Sequence, residues 1–147
     1  PRPGLGDARK TAFTRDEQRT FMTLWAMFRS PLMMGGDLPS SDEWTTSLLA
    51  NPEIIELDQH SADNRPVIET ENTVVWTAKP EKGKGNYVAA FNLGDAPRTI
   101  QYAWNQLRLS GTAYKVRDLW EKKDLGKAAF LEVTLPPHAS VLYKLTD

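Results

Sequence analysis

The sequence predicts a short helix–strand–helix segment followed by an all-β antiparallel sandwich. Three observations support this fold class. Apolar residues recur at helical spacing up to about residue 63, they alternate with polar residues in short runs afterwards, and turn-forming spacers separate those runs. The chain has 147 residues, of which 40% are hydrophobic, and this is enough to fill a core of ordinary size.

The first predicted helix begins near Arg15. Thr14 and Glu17 occupy the N-cap and N3 positions of a capping box, and acidic residues in the first turn suit the positive end of the helix dipole. Four large apolar residues then follow at helical spacing: Phe21, Leu24, Trp25 and Phe28. This helix is therefore expected to be heavily buried.

A strand and two further helical stretches follow in the sequence. Pro31 ends the first helix, and the apolar run 31–37, which contains a glycine pair, is typical of a strand buried on both faces. Ser40 or Ser41 is expected to cap the next helix, and Pro52 to start another helical turn.

After residue 63 the period of the apolar pattern changes from 3.6 to 2, which predicts an antiparallel sandwich beginning near Pro66. The predicted strands are 73–78, 86–94, 99–104, 113–120, 129–135 and 140–146, with a further strand possible at 66–69. The lysine-rich stretch 79–86 has the composition of a solvated hairpin loop.

The composition excludes several classes of function. A net charge of -1 and a pI near 6.2 provide no basic field for nucleic acid or anionic lipid, and the sequence contains no apolar run long enough to cross a membrane. There is no cysteine, and the two histidines lie far apart in sequence, so no metal or other cofactor is expected.

A single buried parallel strand between two apolar helices needs neighbouring strands on each side. The sequence predicts no further parallel strand that could lie next to 31–37, and the first ten residues have the composition of a loop. The chain is therefore expected to be a fragment of something longer.

The segment "FTRDEQRTFMTLWAMFRSPLMMGGDLPSSDEWTTSLLANPEIIELDQ" resembles the last helix, strand and helix of the catalytic (β/α)₈ barrel of melibiase-type glycoside hydrolases. This family comprises α-galactosidases and α-N-acetylgalactosaminidases. The later stretches "VVWTA", "YVAAFNLGD", "VRDLWEKKDLG" and "LPPHASVLYKLT" are similar to the C-terminal β-sandwich of the same proteins. The resemblance implies a barrel remnant over residues 1–63 and a sandwich domain over residues 64–147.

The resemblance also implies retaining glycoside hydrolysis by two aspartates, one acting as nucleophile and the other as acid/base. In the family the nucleophile follows a Lys-x-Asp pattern on a middle barrel strand, and the acid/base precedes an Asp-Pro-Asp stretch on a later one. Neither pattern occurs in residues 1–63. No catalytic residue is therefore assigned, and the chain alone is predicted to be inactive.

Asp37 is the one residue predicted to lie next to the substrate. If 31–37 is the eighth barrel strand, Asp37 follows its C-terminal end, where barrel enzymes place their active sites. An aspartate after a Gly-Gly turn can equally cap the following loop or pair with a neighbouring strand end.

Other polar and aromatic residues have structural explanations that we weigh above functional ones. Asp118 is expected to pair with Arg117 or with a backbone donor at a strand end, and His138 to be an exposed turn residue. A metal site at His60, beside Asp58, would rest on a single imidazole. The five tryptophans could stack on sugars, but all lie where core packing is expected: Trp25, Trp44, Trp76, Trp104 and Trp120.

Two classes of function remain open. The chain is either the C-terminal portion of an α-galactosidase-like hydrolase or a non-catalytic sandwich with a structural or carbohydrate-binding role. In the first case, residues 21–34 are expected to be buried against the N-terminal barrel portion or against another copy of the chain, and an α-galactoside would bind only in the intact enzyme. The family resemblance slightly favours a secreted or periplasmic location.

Overall fold

The computed structural model describes residues 10–147. The loop predicted for the first ten residues therefore lies almost wholly outside the described residues. Three α-helices come first: α1 (Arg15–Met27), α2 (Glu43–Leu49) and α3 (Pro52–His60). Eight strands follow: β1 (Ser61–Glu69), β2 (Thr73–Pro80), β3 (Asn86–Asn92), β4 (Arg98–Ala103), β5 (Tyr114–Asp118), β6 (Lys123–Ala128), β7 (Phe130–Leu135) and β8 (Ser140–Thr146). Short 3₁₀ turns lie at Leu38–Ser40 and Trp104–Leu107.

The eight strands form two antiparallel sheets, which confirms the predicted sandwich. The larger sheet has the order β1-β2-β3-β8-β5-β6, and the smaller one consists of β4 and β7. Strand β1 starts at Ser61, directly after α3, so the sheet begins earlier than the expected Pro66. The domain boundary proposed after residue 63 falls inside this strand. Strand β6 was not predicted because it is almost wholly exposed and has no alternating pattern.

The local signals for the helices are largely confirmed. The Thr14 hydroxyl accepts a hydrogen bond from the Glu17 backbone N–H at 3.2 Å, and the Glu17 carboxylate accepts one from the Thr14 N–H at 2.7 Å. Helix α3 has Pro52 in its first turn, as expected. The predicted cap of α2 was wrong: Asp42, and not Ser40 or Ser41, accepts the hydrogen bond from the first turn.

The strand predicted over 31–37 does not form. This segment is irregular and leads into the 3₁₀ turn that begins at Leu38, and the Met33 side chain is 89% exposed. The physical reason is that a parallel strand needs backbone partners on both sides, and none of the strands between residues 10 and 147 lies beside it.

The central strands of the larger sheet are buried on both faces. On β3, Val88 and Ala90 point into the core between the sheets, whereas Tyr87, Ala89 and Phe91 point to the opposite face. The helices cover that opposite face through four fully or almost fully buried side chains: Ala26, Met27, Ile54 and Leu57.

This packing corrects one expectation about α1. Residues 21–34 were expected to be buried by polypeptide outside this chain. Leu24, however, packs within this chain, against the apolar cluster between the helices and the larger sheet. Leu48 of α2 is also buried. By contrast, Phe21 stays 44% exposed, and Phe28 stays 51% exposed although its ring meets Trp76 of β2, so α1 keeps apolar surface that the sandwich does not cover.

Trp104 anchors the core between the sheets. It was predicted at the end of a strand, but it opens the 3₁₀ turn after β4 and is 2% exposed. Its indole N–H donates to the carbonyl of Ala128 at 3.0 Å, and its ring meets Tyr114 edge to face at a centroid distance of 5.6 Å. The Tyr114 hydroxyl accepts a hydrogen bond from the Gly111 N–H at 2.7 Å, which fixes the loop before β5.

We expect Trp104→Ala to lower the free energy of unfolding by about 3 to 5 kcal/mol, because the cavity cannot collapse fully and the Ala128 carbonyl loses its donor. Urea denaturation followed by tryptophan fluorescence and by circular dichroism measures the loss. Leu125→Ala is the matched control, since that side chain is 50% exposed. A Trp104 variant no less stable than the Leu125 variant would contradict this assignment of the core.

Candidate functional site

A cavity of about 500 Å³ lies between α1, the irregular segment 31–42 and α2. Its wall is mostly apolar, and two acidic residues, Asp37 and Asp42, also line it. Apolar side chains from all three elements contribute to the wall: Phe21, Met22, Met34, Leu48 and Leu49. This is the surface on which the sequence placed a substrate-adjacent residue.

Asp37 is held mainly through its backbone. Its carbonyl accepts hydrogen bonds from the Ser40 N–H at 3.2 Å, the Ser40 hydroxyl at 3.0 Å and the Ser41 hydroxyl at 3.4 Å. These bonds start the 3₁₀ turn, and the residue itself is exposed. The loop-forming role is therefore visible in the structure, and a role next to substrate stays a prediction.

Asp42 is engaged as a helix cap. Its carboxylate accepts a hydrogen bond from the Thr45 N–H at 2.8 Å, and this bond lowers the pKa of the carboxyl group. A carboxylate held ionised in this way is unsuited to protonate a leaving group.

Asp118 satisfies its carboxylate with backbone donors, one of the two alternatives expected from the sequence. It accepts hydrogen bonds from the N–H groups of Trp120 and Glu121, both at 2.9 Å, while burial raises its pKa. Arg117 instead forms a bidentate ion pair with Glu53, in which its Nε and Nη2 atoms donate to the two carboxylate oxygens at 2.7 and 2.8 Å.

Arg117 also contacts Asp124 at 3.0 Å. Asp124 completes a Lys-x-Asp tripeptide, Lys122-Lys123-Asp124, which matches the family's nucleophile pattern in residue types alone. It lies on the β5–β6 hairpin with its side chain 80% exposed and ion-paired, not at the end of a barrel strand. We assign it no catalytic role.

His60 and Asp58 have different surroundings in the structure. His60 lies at the end of α3, and its Nδ1 atom is 3.9 Å from a Glu81 carboxylate oxygen. Asp58 is buried, which raises its pKa. Across residues 10–147, no group of three or more His, Cys, Asp or Glu residues is arranged to hold a metal ion. No helix in the same range is both long and apolar enough to span a membrane.

The tryptophans outside the sandwich core contact other side chains of the chain. Trp25 lies against Phe21 with ring centroids 4.6 Å apart, and Trp76 meets Phe28 at 4.8 Å. Trp44 lies under the guanidinium of Arg19, 5.3 Å from the ring centroid. These contacts agree with packing roles, and sugar stacking stays a hypothesis.

Thr23 is the polar centre of the contact between α1 and the sandwich. This fully buried hydroxyl donates to the Arg19 carbonyl at 2.8 Å. It accepts from the Trp120 indole N–H at 2.9 Å and from the Ser140 hydroxyl at 3.2 Å. Around it, Arg19 forms an ion pair with Glu121 at 2.9 Å.

The sequence analysis missed two residues of the contact between α1 and the sandwich. Thr23 lies within a strongly apolar helix and has no motif around it, so the sequence offered no signal. His138 was expected to be only an exposed turn residue; it does lie in a turn, but its ring nitrogens also contact Glu17 at 3.2 Å and Asp95 at 2.9 Å. The capping-box Glu17 marked one end of this contact, although nothing in the sequence marked its partner.

Two family models match this chain in succession. The model described as alpha galactosidase C-terminal beta sandwich domain matches residues 70–145, and the model described as alpha galactosidase A matches residues 9–60. Together they cover both the helical part and the sandwich.

Individual relatives match over nearly the whole chain. Alpha-galactosidase 2 of Arabidopsis thaliana is 30% identical over 98% of this chain and 37% of its own length. The alpha-galactosidase of Coffea arabica is 34% identical over 90% of this chain and 36% of its own length. The chain thus spans about a third of the curated relatives it matches.

Solved structures show the same relation. A β-L-arabinopyranosidase of glycoside hydrolase family 27 from Geobacillus stearothermophilus superimposes with a TM-score of 0.89 at 44% identity, covering 95% of this chain and 32% of that one. A putative α-N-acetylgalactosaminidase from Bacillus halodurans also gives 0.89, at 39% identity, covering 97% of this chain and 34% of that one.

We expect Thr23→Val to lower the free energy of unfolding by about 1 to 3 kcal/mol, because the methyl group keeps the shape but leaves the Trp120 N–H and the Ser140 hydroxyl without their acceptor. Thr46→Val is the control, since it makes the same chemical change at an exposed position of α2. Chemical denaturation compares the two, and equal losses would show that the Thr23 network does not hold α1 in place.

Proposed function

Because this chain belongs to the α-galactosidase (melibiase) family of glycoside hydrolases and corresponds to the C-terminal part of its members, we propose that it serves as one portion of a retaining hydrolase. In this proposal the intact enzyme removes terminal α-linked galactose or N-acetylgalactosamine. The catalytic aspartates are supplied by barrel strands outside these 147 residues.

The observation that carries the proposal is the order of the two family matches. The segment matching the alpha galactosidase A model, residues 9–60, precedes the segment matching the sandwich model, residues 70–145, as expected for a continuous C-terminal portion. The packing of α1 on the sheet and the hydrogen bond that fixes the loop at Gly111 to Tyr114 support a stable scaffold beside a barrel.

The exposed face of α1 supports a partner rich in apolar groups. Phe13, Phe21 and Trp25 form a row with ring centroids 6.2 and 4.6 Å apart, and Met34 lines the same cavity as the two phenylalanines. Exposed apolar groups of this size commonly mark an interaction surface. We propose that the N-terminal barrel portion covers this face, which would also give the segment 31–37 the neighbouring strands it needs to become a strand.

The proposal also concerns which sugar the intact enzyme releases. The two solved relatives described above carry different specificities in their names, for a β-L-arabinopyranoside and for an α-N-acetylgalactosaminide. A β-L-arabinopyranoside is therefore a second candidate substrate beside α-galactosides. The non-catalytic alternative, a sandwich that binds carbohydrate without cleaving it, requires the chain to act without a barrel.

We expect the 147-residue chain alone to hydrolyse none of three nitrophenyl glycosides, the α-galactoside, the α-N-acetylgalactosaminide and the β-L-arabinopyranoside, because no acid and nucleophile pair is assigned in it. Release of nitrophenol measures the activity. Turnover that survives purification and is abolished by Asp37→Asn or Asp118→Asn would overturn the assignment of the chemistry to the missing barrel.

We further expect this chain to replace the C-terminal third of the Geobacillus enzyme in a hybrid that folds and hydrolyses its substrate. The 44% identity and shared fold support compatible packing across the α1 face. The control is the same N-terminal portion without any C-terminal part, which should be insoluble or inactive. A soluble, folded hybrid without activity would argue against the proposed portion of an enzyme and favour the non-catalytic module.

A further inference from the structure

His138 occupies an unusual backbone position in the turn between β7 and β8. Its φ angle is 57°, in the left-handed region that is uncommon for residues other than glycine, although histidine adopts it more often than most. Its carbonyl accepts a hydrogen bond from the Thr20 hydroxyl at 2.8 Å. The turn is thereby held against α1 through the backbone, and the imidazole is directed by a conformation that costs energy to maintain.

Both imidazole nitrogens face carboxylates from different elements. Nδ1 is 3.2 Å from a Glu17 oxygen on α1, and Nε2 is 2.9 Å from an Asp95 oxygen in the loop between β3 and β4. A neutral imidazole carries one N–H and can donate to one carboxylate only. A protonated imidazole donates to both, so this arrangement is complete only when His138 is charged.

Glu17 connects this contact to the start of the helix. One carboxylate oxygen faces His138, and the other accepts the capping-box hydrogen bond from the Thr14 N–H at 2.7 Å. The charge on His138 therefore acts on the same carboxylate that stabilises the first turn of α1.

We propose that His138, Glu17 and Asp95 form a pH-sensitive clasp that holds the first turn of α1 on the sandwich, closed when the imidazole is protonated and weakened when it loses its proton. The clasp joins the helical part to the sandwich in this chain, and it does not require that the intact protein be a hydrolase. Its success or failure is therefore independent of the proposed function.

Among residues 10–147, the two charged groups that act on the imidazole are both acidic. The hydrogen bonds and charges of Glu17 and Asp95 raise the pKa of His138 above its ordinary value of 6.5, against a smaller opposing effect of desolvation. The capping bond from Thr14 and the contact with His138 lower the pKa of Glu17 below 4.5.

These directions fix the pH window of the clasp. A raised pKa for His138 contributes stability that is complete below 6.5 and is lost as the pH rises through the folded-state value. A lowered pKa for Glu17 contributes stability that is complete above 4.5 and is lost as the pH falls through its folded-state value. The clasp is therefore strongest between pH 4.5 and 6.5.

The first test follows the imidazole signals of the wild-type 147-residue chain by NMR over about pH 4 to 9, a range that spans histidine titration. His60→Gln identifies which signal belongs to His138. We expect His138 to titrate above 6.5, and Glu17→Gln and Asp95→Asn each to move its midpoint downward. Glutamine can keep the capping box, so Glu17→Gln removes the charge with the least damage to the helix start. A midpoint at or below 6.5, or one that neither variant moves, would overturn the proposal.

The second test measures whether the charge holds α1. Thermal unfolding of the wild type, His138→Gln and His60→Gln is compared across the same pH range, and amide exchange in the first turn of α1 is measured relative to α3. We expect the unfolding temperature of the His138 variant to differ most from that of the wild type between pH 4.5 and 6.5, and this difference to narrow at higher pH. In the wild type, amide protection in the first turn of α1 should fall over the same rise in pH. His60→Gln should keep the wild-type pH profile. A gap that is constant with pH, or a profile that His60→Gln changes as much as His138→Gln does, would refute the clasp.

Discussion

The outer face of β2, β3 and β8 is apolar, and most of this structure follows from the need to cover it. Tyr87, Ala89 and Phe91 project to this side of β3, so a sandwich of two sheets alone would leave them in water. Helices α1 and α3 cover the face with Met27, Ile54 and other side chains that are excluded from solvent. The helical part is thus a third layer of the fold and not an appendage of the sandwich.

Polar contacts set the orientation of this third layer. Hydrophobic burial is non-directional, so it holds the helices on the sheet without fixing their position along it. Directional contacts lie around the apolar cluster: Thr23 with Trp120 and Ser140, Arg117 with Glu53, and the Asn51 side chain with the Leu119 carbonyl at 2.9 Å. The buried members of this set cost more when broken than exposed ion pairs do.

The accuracy of the sequence-based prediction differed between local and long-range features. The capping box at Thr14 and the short apolar run of β3 were readable because each depends on neighbours close in sequence. The strand expected over 31–37 failed because strand formation depends on partners that sequence pattern cannot supply. Exposed β6 gave no pattern to detect. The links of His138 to Glu17 and of Thr23 to Trp120 were invisible because they join residues about a hundred positions apart. For Asp37, the sequence placed a strand where the chain is irregular, but it also allowed a role in the following loop, and the contacts of the Asp37 carbonyl start the turn there.

The direct succession of α3 and β1 restricts how this protein can be divided. His60 ends the helix and Ser61 begins the strand, so no linker residue lies between them. A cut at that point would separate α1 and α3 from the sheet face they cover and expose Phe91 and Leu142. The unit that can be exchanged between related enzymes is therefore the sandwich together with its helices. A recombination point ahead of Thr14 preserves this unit. A recombination point at the boundary expected after residue 63 divides it.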